Sequence, residues 1–227
     1  MKGSERLIVA LDRATREDVI ALVDRLHGVA GVFKIGLQAF VANGPDLVRE
    51  ITGRGEKVFL DLKLHDIPHT VARAVEALGP LGVSMVTVHA SGGRAMLRAA
   101  ADAAQGGPLV LGVTVLTSLG EGDLDEVGLA GGTGASVERL ARLAAAAGLG
   151  GVVASPREIG MIRAAAPSLR IVTPGIRAAG DAGGDQARTL SAAEAVAAGA
   201  DCIVVGRPIT DAPDPRAAAE AILATLS

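Results

Sequence analysis

The amino-acid sequence predicts a (β/α)8 barrel that occupies residues 1–227 as a single domain. Eight short apolar runs recur along the chain with helical stretches between them, and the first five begin about 25 residues apart, the spacing of a strand plus its returning helix. Such alternation is typical of parallel strands joined by right-handed crossovers. The length of 227 residues also lies in the range in which such barrels form one domain.

The predicted strands are short and apolar. In chain order they are LIVALD (7–12), VFKIGL (32–37), KVFLDLK (57–63), SMVTVHA (84–90), LVLGVTVL (109–116), GVVAS (151–155), RIVTPGI (170–176) and CIVVGR (202–207). Enzymes built on this barrel keep their chemistry at the C-terminal ends of the strands. The residues that end each run are therefore the first candidates for a functional site.

Helix signals lie between the strands. Thr15 is placed to cap a helix with Asp18 three residues later, and this helix carries an apolar stripe formed by Val19, Leu22, Val23 and Leu26. Pro68 suits the first turn of a second helix, whose apolar positions are Val71, Val75 and Leu78. Residues 136–148 are predicted to form another helix.

A glycine-rich stretch from Gly120 to Gly134 follows the fifth predicted strand. It is longer than the usual connection between a strand and a helix. We interpret it as a candidate mobile lid over the barrel mouth, with a passive surface insertion as an equal alternative.

The composition excludes several classes of protein. Hydrophobic residues make up 49% and charged residues 21% of the chain, as in an ordinary globular protein rather than a disordered one. The net charge of -3, with scattered basic residues, gives no electrostatic reason to expect nucleic acid or an anionic membrane. Because the chain has no Trp or Tyr, it offers little aromatic surface for stacking on bases or sugars. The expected partner is a small molecule.

Cysteine usage predicts a reducing compartment. Cys202 is the only cysteine, so no intrachain disulfide can form, and its apolar surroundings predict a small buried core residue. The first residues lack an apolar signal core, and no apolar run reaches the roughly 18 residues of a membrane span. We therefore expect a cytoplasmic protein.

Charged side chains mark the first three predicted strands. Alternation in KVFLDLK places Phe59, Asp61 and Lys63 on one face, while the other face is aliphatic and faces the surrounding helices. Asp61 and Lys63 are thus expected inside the barrel at its mouth, together with Asp12 from the first strand and Lys34 from the second. Such charges tolerate burial only as a mutually compensating array. The alternative, a surface Asp-x-Lys ion pair, explains one strand but not three.

The last two predicted strands run into glycine and arginine. Strand seven leads into Pro174, Gly175 and Arg177, and strand eight leads into Gly206 and Arg207. The loops after these strands are the usual phosphate site of such barrels, because glycine lets backbone amides approach an anion and a guanidinium offers a planar pair of donors. Tight turns with solvated arginines are the alternative. We favour a small phosphorylated substrate.

These motifs together resemble those of the orotidine 5′-phosphate decarboxylase family. The resemblance is carried by DLKLHDIPHT (61–70) and by ALD at Asp12, FKIG at Lys34, VTVLTS at Thr117 and Ser118, PGIR at Arg177, DQ at Gln186 and VVGRPI at Arg207. The landmarks are ordered and extend over nearly the whole chain. One departure is His69, where the family often has asparagine.

The resemblance implies a homodimer of (β/α)8 barrels that converts orotidine 5′-monophosphate to UMP without a metal or an organic cofactor. It implies a charged tetrad of Lys34, Asp61, Lys63 and Asp66, in which Lys63 donates the proton and Asp66 reaches across the dimer. The implied substrate contacts are Asp12 and Lys34 for the ribose hydroxyls, Asp66 and Thr70 for the ribose and the dimer seam, and Thr117 or Ser118 for the pyrimidine. Arg177, Gln186, Gly206 and Arg207 are implied to hold the phosphate, and Ile67 and Pro174 are further substrate contacts.

Two alternatives stay open at this stage. A related sugar-phosphate decarboxylase or aldolase-like barrel shares an Asp-x-Lys-x-x-Asp core but uses a divalent metal, and the HDIP continuation at 65–68 favours the nucleotide enzyme. A noncatalytic phosphate-binding barrel is the other alternative, which an intact Lys63 disfavours. His27, His65 and His89 are scattered and do not predict a metal site.

Overall fold

The computed structural model describes residues 3–176 and 190–226, which form a closed barrel of eight parallel strands. Each strand pairs with the next in chain order, and the first pairs with the last. The strands are β1 Leu7–Ala10, β2 Val32–Gly36, β3 Val58–Leu64, β4 Met85–His89, β5 Leu109–Val113, β6 Gly151–Val153, β7 Arg170–Thr173 and β8 Cys202–Val205. The predicted fold class is confirmed, and every predicted run contains a strand.

Helices connect the strands and surround the barrel. They are α1 Gly3–Arg6, α2 Arg16–Leu26, α3 Leu37–Gly53, α4 Pro68–Ala77, α5 Gly93–Ala103, α6 Glu121–Glu126, α7 Gly132–Ala146, α8 Ile159–Ala165, α9 Ala192–Ala197, α10 Arg207–Thr210 and α11 Pro215–Ala224. Helix α3 is kinked at Gly44, which has a φ of 67° and is followed by Pro45. Within the described ranges, no helix has the length and apolar character needed to cross a bilayer.

Alternation along the strands separates two apolar layers. The buried apolar side chains that face inward pack together inside the barrel, and they are Ile8, Ala10, Val32, Phe59, Met85, Leu111, Val172, Cys202 and Val204. The outward-facing side chains belong to the larger cluster between strands and helices. Phe59 is 1% exposed, and burying a side chain of its size contributes roughly 2 kcal/mol. The barrel below its mouth is therefore a packed core rather than a channel.

The predicted helix starts at Thr15 and Pro68 are confirmed. Thr15 Oγ1 accepts a hydrogen bond from the Asp18 amide at 3.2 Å, and the apolar stripe of α2 is buried. Pro68 occupies the first turn of α4. Helix α7 begins at Gly132, before the predicted start at Ser136. Glycine lowers helix propensity, but tertiary packing routinely overrides that preference.

The stretch from Gly120 to Gly134 is not a continuous loop. It contains α6, and it leads directly into the first turn of α7. Leu124 of α6 is completely buried in the outer core layer, so this segment is anchored by packing. Its role as a lid stays a prediction.

Cys202 lies in the barrel interior, as its apolar surroundings predicted. Its side chain belongs to the inner cluster, and burial, with a smaller contribution from the charge of Asp201, raises the pKa of the thiol from its ordinary value of 9.0 to about 11. Since the thiolate is the reactive form, the folded protein protects its only cysteine both sterically and electrostatically.

We expect a thiol-specific reagent at pH 8 to modify folded protein at least about 100-fold more slowly than protein in denaturant, because a pKa difference of about two units lowers the thiolate fraction by that factor. The rate of absorbance change measures this. The control is a Cys202→Ser, Ser168→Cys variant, because Ser168 is exposed and its thiol should react at the denatured rate. Equal rates for folded and denatured Cys202 would contradict the prediction.

Candidate active site

A cavity of about 810 Å³ opens at the C-terminal mouth of the barrel. Most of the residues predicted to contact substrate line it, namely Asp12, Lys34, Asp61, Lys63, Thr117, Pro174, Gly206 and Arg207. Ser118 is exposed and lies outside the lining, so the geometry favours Thr117 over Ser118 as a wall residue. Arg177 and Gln186 lie outside the described residues.

The first three strands bring four charged groups into one alternating series. Lys34 Nζ lies 3.3 Å from Asp12 Oδ1 and 3.7 Å from Asp61 Oδ2, and Lys63 Nζ lies 2.9 Å from the same Asp61 oxygen. The Lys34 side chain is only 11% exposed and that of Asp61 15%. An unpaired ion at that depth would cost several kcal/mol, so Lys34 and Asp61 are retained by their neighbours of opposite charge.

Parallel register explains why these groups meet. Ala10 is paired with Lys34 in the β1–β2 ladder, and Gly36 is paired with Asp61 in the β2–β3 ladder. Gly36 has no side chain, and a Cβ built there would lie 3.0 Å from Lys34 Nζ and 3.1 Å from Asp12 Oδ1. The glycine of FKIG thus leaves room for the Asp12–Lys34 pair.

The backbone of β3 is irregular where its charged residues lie. Leu60 pairs with Val86 and Leu64 pairs with Val88, so three residues of β3 stand opposite the single residue Thr87. Among the described residues, Lys63 is the only non-glycine residue with a positive φ, at 52°. Strained backbone of this kind clusters at functional sites, which is consistent with a functional Lys63.

Thr87 was not singled out by the sequence analysis, yet it joins the two charged residues of β3. Its hydroxyl accepts a hydrogen bond from the Lys63 amide at 2.8 Å and donates one to Asp61 Oδ1 at 2.9 Å. Thr87 is fully buried. The available signal was a polar, inward-facing residue in an apolar run next to the strand of Asp61.

A further part of the cavity wall comes from the ends of β7 and β8, and β8 is the neighbour of β1. Pro174 and Gly175 follow β7, and Gly206 and Arg207 follow β8. Gly175 has a φ of 83°, a conformation that side chains disfavour. A cationic side chain and glycine backbone therefore line the same cavity as the charged series.

An ion pair that the sequence did not predict joins the segments that follow the first and last strands, at the mouth of the barrel. Arg13 lines the cavity beside Asp12, and its guanidinium donates to Asp211 Oδ1 at 2.5 Å and to the carbonyl of Thr210 at 2.7 Å. Both partners lie on the α10 side of the mouth. The contact depends on closure of the barrel, because the two residues are 198 positions apart in the sequence.

The segment after β3 does not line the cavity of its own chain. Residues 65–70 are all exposed, and Asp66, Ile67 and Thr70 do not line the cavity. Asp66 Oδ1 accepts a hydrogen bond from the Ile67 amide at 2.6 Å, and the Ile67 side chain is 65% exposed. One chain by itself therefore brings together only three of the four predicted tetrad residues.

Two histidines lie beside the charged residues. The rings of His65 and His89 have centroids 5.4 Å apart. Burial lowers the pKa of His89, with further lowering from its neighbours His65 and Lys63. In the ranges that the structure describes, no group of three or more His, Cys, Asp or Glu side chains could hold a metal ion.

Comparison with known proteins places this geometry in a family. Residues 5–222 match the model of the orotidine 5′-phosphate decarboxylase / HUMPS family. The orotidine 5′-phosphate decarboxylase of Anaeromyxobacter dehalogenans is 53% identical over 227 residues, which cover all of both chains. That of Moorella thermoacetica is 52% identical and matches the whole chain and 94% of its own length.

A solved structure is also similar. Orotidine 5′-phosphate decarboxylase from Lactobacillus acidophilus superposes with a TM-score of 0.87 at 36% identity, covering 97% of this chain and 98% of its own. The sequence comparison and the structural comparison therefore indicate the same family over nearly the whole chain.

We expect Gly36→Ala to lower the free energy of unfolding by about 1 kcal/mol, the low end of the cost of overpacking, because the new methyl group presses on Lys34 and Asp12. Urea denaturation measures the change. Gly53→Ala is the matched control, since a Cβ there meets nothing within 4 Å. In a Lys34→Ala background the cost of Gly36→Ala should shrink; an unchanged cost would refute the assigned clash.

Proposed function

The chain belongs to the orotidine 5′-phosphate decarboxylase / HUMPS family, and we propose that the charged series at its barrel mouth removes the carboxylate of orotidine 5′-monophosphate to give UMP. This is the decarboxylation step of de novo pyrimidine biosynthesis. The observation that carries the proposal is the Lys63 ammonium held 2.9 Å from Asp61 at the cavity mouth. The lone cysteine, typical of a reducing compartment, supports a cytoplasmic location.

Lys63 is the proposed proton donor. Loss of carbon dioxide breaks the bond between ring carbon 6 and the carboxyl carbon and leaves the electron pair on carbon 6, where no adjacent carbonyl delocalises it easily. An ammonium already positioned by carboxylates stabilises that localised charge without reorganisation. It then transfers a proton to carbon 6 and regains one from water.

Asp61 is proposed to have two roles. Its carboxylate favours the charged form of both lysines, and its position beside Lys63 brings it close to the departing carboxylate, where like charges raise the energy of the bound ground state. We treat the second role as smaller than stabilisation of the carbanion by Lys63.

The part of the cavity wall that follows β7 and β8 is proposed to bind the phosphate. Arg207 supplies a guanidinium and Gly206 an accessible backbone, and Pro174 lines the same cavity. Arg177 and Gln186, outside the described residues, are the further phosphate contacts that the sequence predicts. Phosphate binding far from the reacting bond contributes to turnover by aligning the base.

We assign the ribose and the pyrimidine to different residues. Asp12 and Lys34 form an ion pair at 3.3 Å that presents a carboxylate oxygen and an ammonium to ribose hydroxyls. Thr117 lines the cavity and is proposed to contact the pyrimidine, in preference to Ser118.

We propose a homodimer in which Asp66, Ile67 and Thr70 act in the neighbouring site. Three observations support it: the whole segment 65–70 is exposed, none of the three residues lines the cavity of its own chain, and the apolar Ile67 is 65% exposed. A second carboxylate delivered next to Lys63 would complete the tetrad. The site of one chain is incomplete without it.

We propose that the reaction needs no metal or organic cofactor. The positive charge that a divalent cation supplies in metal-dependent decarboxylases comes here from two ammonium groups, each within ion-pair distance of Asp61. The carboxylate is therefore already neutralised by the protein, which favours the nucleotide decarboxylase over a metal-dependent relative.

We expect purified protein to consume orotidine 5′-monophosphate, followed by absorbance, at the same rate before and after treatment with EDTA. Lys63→Ala should lower turnover at least about 1000-fold, since it removes both the proton donor and the charge that stabilises the carbanion. Lys57→Ala is the control, because Lys57 is exposed and precedes the opposite end of the same strand. Turnover of Lys63→Ala within tenfold of the unmodified protein would exclude the proposed donor.

Mixing two inactive variants tests the shared site. In a heterodimer of Lys63→Ala and Asp66→Ala chains, one site carries both defects and the other carries neither. Random exchange at equal amounts should therefore restore about one quarter of the activity, because half of the dimers have one intact site of two.

The control for mixing pairs Lys63→Ala with Asp61→Ala. Both of these defects lie in the chain that forms the cavity, so no heterodimer contains an intact site. Absence of recovery with Asp66→Ala, when mass spectrometry proves subunit exchange, would rule out a composite site.

A further inference from the structure

We propose that Thr87 is a positioning residue, whose hydroxyl sets both the Lys63 backbone and the Asp61 carboxylate. The inference rests on the proposed function, because it assigns to Thr87 an effect on the decarboxylation step. Thr87 is fully buried and does not line the cavity. Any effect on the reaction must therefore pass through the residues that it holds.

The hydroxyl has one proton, and its direction is determined by its neighbours. Oγ1 accepts the amide proton of Lys63 at 2.8 Å, so its own proton is available for Asp61 Oδ1 at 2.9 Å. The other oxygen of Asp61 then faces Lys63 Nζ at 2.9 Å. One threonine thus orients the carboxylate so that its second oxygen meets the ammonium.

Backbone geometry explains why a side chain is needed here. Three residues of β3 stand opposite Thr87 alone, and Lys63 adopts a φ of 52°, a conformation that costs a non-glycine residue about 1 kcal/mol or more. The bond from the Lys63 amide to Thr87 stabilises this turn. The position of the Lys63 ammonium is therefore set by this backbone hydrogen bond as well as by the ion pair with Asp61.

A β-branched residue suits the task. Threonine is stiff about χ1, so its hydroxyl keeps one direction inside the barrel. Valine has nearly the same shape but would leave the Lys63 amide without this acceptor and Asp61 without this donor. The substitution therefore separates the hydrogen bonds from the packing.

The test compares the single-turnover rate of decarboxylation in the variants with that of the unmodified protein. A single-turnover rate is not limited by product release, which could hide a change in the chemical step. Thr87→Val should slow the step by about 100-fold, the effect of a displacement of about 1 Å in a reacting group. Binding of UMP, measured by calorimetry, should change less than about threefold. Thr114→Val is the matched control. Thr114 directly follows β5 and is also buried, and its hydroxyl donates to a backbone carbonyl, that of Val153, at 3.1 Å. This variant should keep the rate of the unmodified protein.

A second pair of variants isolates the hydroxyl even if Thr87→Val is unstable. Thr87→Ser and Thr87→Ala both lose the methyl group and differ only in the hydroxyl, so serine should remain at least about tenfold faster than alanine. Equal rates for serine and alanine, or a Thr87→Val rate within twofold of the unmodified protein, would overturn the inference. Neither result would affect the proposed function, which fails only if the unmodified protein does not decarboxylate orotidine 5′-monophosphate.

Discussion

The carboxylate of Asp61 is the group on which the mouth of the barrel depends. One of its oxygens lies 2.9 Å from the Lys63 ammonium and 3.7 Å from that of Lys34, and the other accepts the Thr87 hydroxyl. Because its side chain is only 15% exposed, most of its surface contacts protein rather than water. Without this carboxylate, two ammonium groups would face each other over an apolar core, at a cost of several kcal/mol.

Much of the fold and site could be predicted because the strands of this barrel lie side by side in the order in which they occur along the chain. Eight apolar runs became eight strands in chain order, and the ends of the first three strands met at one rim, where Asp12, Lys34 and Asp61 form ion pairs. Parallel pairing needs only the spacing of strands and the alternation of faces, both of which are visible in the sequence.

What could not be predicted depends on local departures from that regularity. Alternation correctly predicted that Asp61 and Lys63 lie at the same cavity, but the route passes through an irregular strand and a left-handed lysine, and no glycine marks the position. Thr87 was overlooked because threonine is common in strands for reasons of packing. Arg13 and Asp211 are joined only once the barrel closes. Arg177 and Gln186, outside the described residues, stay predictions.

The apolar packing of the barrel interior limits the routes by which substrate and products enter and leave the site. Phe59, Met85 and their neighbours fill the space beneath the charged residues and separate them from the N-terminal end of the barrel. Under the proposed mechanism, nucleotide, carbon dioxide and the proton that Lys63 regains would all pass through the mouth. Lys63 would then recover its proton from bulk water only after the product nucleotide has left.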